Sequence, residues 1–141
     1  MDVPEVRRRV RAAIEQARRD AAARRERTDA ASQAYLEFLT ARAVPAFGSL
    51  AAALTAEGHA FKVFTPAGSV RLASERSPDD FVELTLDGAE DPPQVLGRSS
   101  TGRGRRSVTR EQHLRAASIA DLTDEDVVTF AIGELVSILE R

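Results

Sequence analysis

The run Gly97-Arg98-Ser99-Ser100-Thr101-Gly102-Arg103-Gly104 comes nearest to a chemical motif in this chain. Its glycines have the spacing of a phosphate-binding P-loop. Such a loop also needs Lys then Ser or Thr after the second glycine, and it must open a helix. Arg103-Gly104 stands in those positions, and a strand-like stretch follows. The segment reads as a flexible hairpin tip. Its bases make a second case: Arg98, Arg103, Arg105, Arg106 and Arg110 gather on one segment as candidate anion or partner contacts. The glycines would let backbone amides approach phosphate closely. Nucleic-acid contact there would be strongly salt-dependent. Phe, Tyr and Trp are absent from the loop, so it has no platform for base stacking.

The carboxylate groups have cheaper explanations. Asp121, Asp124, Glu125 and Asp126 can be drawn as a divalent-metal cluster, but capping and the helix dipole account for each of them. A calcium loop would also need a turn glycine and a distal bidentate Glu at set spacings. Asp79, Asp80 and Glu83 beside Arg76 read as a turn and a solvated strand edge rather than an acid–base pair. His59 and His113 lack a helix-spaced second His and a nucleophile motif, so both read as surface or turn residues. No catalytic, cofactor or metal site is expected, and the chain reads as non-enzymatic.

These residues must be positioned by a chain of 141 residues, long enough to bury a core without covalent staples. Cysteine is absent, which excludes disulfides and thiolate metal sites. The N-terminus lacks an apolar signal region, and no apolar stretch approaches the ~20 residues that span a bilayer. A cytoplasmic protein without a membrane partner is expected. Net charge is −2 but unevenly spread: ten arginines face seven carboxylates in residues 1–50, and the following fifty residues are net acidic.

From Val3 to Arg42 there is no Gly and only one Pro, Pro4, and the residues are mostly helix formers. A helix of that length is roughly 60 Å long, twice the width of the globule the remaining chain can form. Val3, Val6, Val10, Ile14, Ala17 and Ala21 lie along one side and form the candidate helix-pairing interface. The stripe continues through Thr28, Ala31, Tyr35, Phe38 and Leu39, with Arg24 interrupting it. A hairpin capped at Thr28-Asp29 is the alternative to one rod. Pro45 predicts a kink or short break at Val44-Pro45, and Gly58 ends a second helical segment.

The fold expected is α+β. Residues 1–58 form a helical stalk, kinked near Val44-Pro45. Residues 59–141 form a small head: a four-stranded antiparallel β-meander with a C-terminal helix packed on the sheet. Strands are expected at about 60–65, 69–75, 80–87, and either 94–99 or 105–111, from alternating apolar residues between Pro/Gly turns. Thr123 caps a helix over 124–140 that is apolar around more than half its circumference. The order of elements resembles the RWD-type interaction domains of kinetochore proteins in topology, without a shared motif. The unmatched stripe predicts a homodimer or a partner protein helix, and a nucleic-acid-binding module using the Arg-rich face of the long helix and the Gly/Arg loop 97–110 is the alternative.

Overall fold

In the computed structural model, which describes residues 2–140, one rod runs unbroken from Val3 to Ala56. Asp2 starts it, its Oδ1 accepting from the Glu5 N–H at 2.9 Å, and Pro4 sits in the first turn, where no intrahelical donor is required. Helix α1 covers Val3–Phe38 and helix α2 covers Val44–Ala56. No break occurs at Thr28-Asp29, so the hairpin alternative is set aside.

The feature at Pro45 is a π turn over Leu39–Ala43, not a break in the helix. Proline has no N–H to return to the preceding turn, and the Val44 N–H reaches Leu39 O instead. The wide turn also corrects phase. Tyr35 and Phe38 before it and Ala43, Phe47 and Leu50 after it are all buried. Ala43 stands five positions after Phe38, one more than an α-helical repeat allows for a shared face. The π turn absorbs that residue, so both segments face one core. Past Glu57, Gly58 turns the chain out at φ +92°, the positive φ expected of a residue closing a helix.

Five strands follow, one more than expected: β1 Phe61–Phe64, β2 Val70–Ser74, β3 Phe81–Asp87, β4 Gln94–Arg103 and β5 Arg106–Leu114. They form an antiparallel meander in the order β1-β2-β3-β4-β5. The segments expected as alternatives are both strands and pair with each other, from Val95↔Leu114 to Arg103↔Arg106. Gly104 at φ +64° supplies the two-residue reversal between them. Strand β5 is an edge strand exposed along most of its length, so it needs no apolar alternation.

Helix α3, Asp124–Leu139, is closed by a capping box. The Asp126 N–H donates to Thr123 Oγ1 at 3.1 Å, and the Thr123 N–H donates to Asp126 Oδ2 at 2.9 Å. Buried Leu122 precedes the cap and buried Val127 follows it. A 3-10 turn at Ile119–Asp121 leads into it. Helices α2 and α3 pack on one sheet face: Phe47, Leu50, Phe130 and Leu135 join Leu72, Val82, Leu84 and Val95 in one core. The end of α1 crosses the turns at one end of the sheet. There the Tyr35 hydroxyl donates to Gly68 O at 2.6 Å, and burial, with Glu83 charge nearby, pushes its pKa up to about 12.

Because the rod is continuous across Pro45, the expectation about membrane length is corrected. An 18-residue window of the helix Val3–Ala56 is long and apolar enough to cross a membrane by length and composition. A third of that window is buried inside the protein, and Phe38, Phe47 and Leu50 of this rod belong to its core.

Candidate functional site

The N-terminal stripe stands clear of the head. Val3, Val6, Val10 and Ile14 are 71, 42, 52 and 47 % exposed. Together with the stems of Arg7 and Arg11 they line a shallow apolar trough along α1. Ala17 is exposed and Ala21 half-buried. The head begins to engage the helix at Arg24 and Arg27, which reach Asp91 of the β3–β4 turn at 3.6 and 2.9 Å. The Arg27 pairing holds the Asp91 carboxyl below its ordinary pKa. Tyr35 and Phe38 then carry the same stripe into the core. One line of residues is thus satisfied at its C-terminal end and bare at its N-terminal end.

A second apolar surface lies on the head. Ile132, Val136 and Leu139 of α3 are 51, 47 and 41 % exposed. With Ala53 and Leu54 of α2 they line a groove between the two helices, and Glu57 stands at its rim. The apolar content of α3 beyond one face is visible in the sequence. Its meeting with the end of α2 depends on the phase set by the π turn, which the sequence does not display.

The five arginines do not form one cluster. Arg98 belongs to a row across the sheet in which Arg71, Glu83, Arg98 and Glu111 are successive partners on β2, β3, β4 and β5. Arg71 meets Glu83 at 2.8 Å and Arg98 meets it at 3.2 Å. The Arg71 guanidinium also lies 4.0 Å from the Phe81 ring centroid. Arg110, on the helix-covered face, lies 3.8 Å from Glu134 of α3, whose carboxylate accepts from Ser99 Oγ at 2.9 Å. Arg103, Arg105 and Arg106 remain at the exposed hairpin tip, and among the described residues none forms an ion pair. Arg103 and Arg106 are direct cross-strand partners, a like-charge pairing that weakens a hairpin.

The remaining chemical candidates resolve into structure. Asp80 and Glu83 are buried rather than solvated, correcting the expectation. Asp80 Oδ1 accepts from the Gly102 N–H at 2.7 Å, tying the β2–β3 turn to β4. Of the acidic residues around Thr123, Asp126 caps α3, Asp121 accepts from Ser118 Oγ, and Asp124 lies 3.5 Å from Arg42.

His59 is exposed. His113 is half-buried, its Nε2 2.9 Å from Asp87 Oδ2 and 3.8 Å from Glu90 Oε1. The bond to His113 and one from the Ala89 N–H hold the Asp87 carboxyl below its ordinary range. Donor atoms of Asp87, Glu90 and His113 lie within 4.8 Å of one another and could face a cation. The Asp87–His113 hydrogen bond accounts for that grouping without an ion. Among the described residues no hydroxyl hydrogen-bonds His113, so no nucleophile–base pair is assembled there.

No family model, curated protein or solved structure matches the chain. The topological resemblance to RWD-type domains therefore carries no argument about function.

Proposed function

We propose that this chain is a non-enzymatic interaction module whose contact element is the N-terminal half of α1, and that its partner is a second copy of itself. The reading rests on the bare stripe Val3–Val6–Val10–Ile14. Fully covering a branched aliphatic side chain is worth about 1.5–3 kcal/mol, and each of these four is left partly in water on a stretch of helix that its own head does not cover. The groove at Ile132, Val136 and Leu139 adds a second surface of the same chemistry. A closed two-fold dimer covers such surfaces with the fewest copies.

Light scattering at tens of micromolar is expected to give the dimer mass, and Val10→Glu is expected to give the monomer mass. A wild-type monomer under those conditions ends the self-association reading, leaving a helix of another protein as the partner.

A second reading has one observation behind it. The unpaired Arg103, Arg105 and Arg106 at the hairpin tip favour a polyanion, which would relieve the Arg103–Arg106 repulsion. Titration with duplex DNA and duplex RNA at two salt concentrations decides it: phosphate contacts lose affinity steeply as salt rises.

A further inference from the structure

The two exposed apolar surfaces differ in charge, and that difference selects how they are covered. On the wheel, Arg7, Arg11, Arg18 and Arg25 fall along one edge of the α1 stripe. The other edge holds Arg9, Ala13, Asp20 and Arg24. Its Asp20 already accepts from Gln16 at 2.8 Å, and its Arg9 already pairs with Glu5 at 3.2 Å. Two α1 stripes laid face to face would therefore bring arginine rows together with no row of carboxylates to receive them. The groove offers the opposite. Helix α3 has no basic residue. Of its four carboxylates, Asp124 meets Arg42, Asp126 caps the helix and Glu134 is buried against Ser99, which leaves Glu125 on its exposed face. Glu125 lies two turns before Ile132 on the same side, Glu57 lines the groove itself, and Glu140 follows Leu139 at the end of α3.

The groove cannot be filled by its own stalk. Val10 and Ala53 lie near opposite ends of one continuous rod, roughly 65 Å apart at 1.5 Å per residue. Folding back would require breaking the helix.

We infer that the Val3–Ile14 stripe of one copy docks in the α2–α3 groove of a second copy. The second copy's stripe returns the contact, which makes a reciprocal, antiparallel two-fold dimer. Antiparallel order follows because the N-terminal end of each rod meets the C-terminal end of the other. Symmetry matches the two contacts, so the exchange closes without forming a filament. This inference rests on the self-association reading and fixes which surfaces meet.

The test uses three full-length variants, Val10→Glu on the stripe and Val136→Glu and Ile132→Glu in the groove, all at exposed positions. Sedimentation or light scattering measures the dimer dissociation constant of each. A glutamate in either apolar contact is expected to weaken dimerisation at least about 30-fold. An equimolar mixture of Val10→Glu and Val136→Glu is the decisive sample. It retains one intact stripe, from the Val136→Glu copy, and one intact groove, from the Val10→Glu copy. The mixture is expected to form heterodimers at concentrations where each variant alone is monomeric.

If Val10→Glu dissociates the dimer while both groove variants leave it intact, the groove inference is overturned and the self-association reading stands. Monomeric variants that fail to complement each other also overturn it, since the groove would then be pairing with something other than the stripe. A monomeric wild type overturns both.

Discussion

At the scale of single residues, Tyr35 has the sharpest observable, because it is the only tyrosine and the chain lacks tryptophan. Its hydroxyl is satisfied by Gly68 O while its ring is buried against Phe38. Burial favours the neutral phenol, which is why its pKa rises from 10.0 to about 12. Below pH 10 the phenol is protonated in folded and unfolded chains alike. Between pH 10 and pH 12 only the unfolded chain ionises, so stability falls over that window. Tyrosinate absorbance should titrate near pH 12 in the native protein and near 10 in urea. Tyr35→Phe should remove the alkaline loss and cost about 0.5–1.5 kcal/mol at neutral pH for the missing hydrogen bond. A native titration at the ordinary tyrosine value would mean that this end of α1 is not docked on the β1–β2 turn.

At the scale of elements, the close approach of α3 to the sheet depends on Gly97. A Cβ there would overlap the Phe130 ring, which would have to shift from its place in the core it shares with Val95 and Leu135. Gly97→Ala is expected to lower the free energy of unfolding by about 1–3 kcal/mol, the usual range for overpacking, as measured by urea denaturation. In the sequence the same glycine looks like part of a phosphate-binding motif, because spacing alone does not show which partner a missing side chain serves. Other elements were legible: the Thr123 cap, the Gly58 helix end and the strands β1 to β3 follow from local chemistry acting within a few residues. The β4–β5 hairpin was legible only in part. Its edge strand is polar on both sides, and its pairing is fixed by the turn at Gly104 rather than by an apolar pattern. Arg98 and Glu83 stand fifteen positions apart, so their pairing becomes visible only once register is known. The arginine cluster expected from sequence proximity separates for that reason.

At the scale of the whole molecule, the chain divides its apolar surface between a buried core and an exposed stripe. None of the core residues precedes Ala31, so the overhanging part of α1 adds nothing to the head's own packing. Removing residues 1–22 keeps Arg24 and Arg27, with their grip on Asp91, and deletes the stripe. The truncated protein is expected to fold, to be monomeric, and to melt at a temperature independent of its concentration. Under the proposed self-association the full chain should behave differently, because dimerisation would favour the folded state by mass action and raise the melting temperature as protein concentration increases. Thermal scans of both forms at two concentrations a hundredfold apart measure this directly. Salt separates the two components of the contact: screening the arginine–carboxylate rims should weaken the dimer modestly, while apolar burial should keep it from dissociating outright. A full-length melting temperature that ignores concentration would place the stripe outside any self-contact.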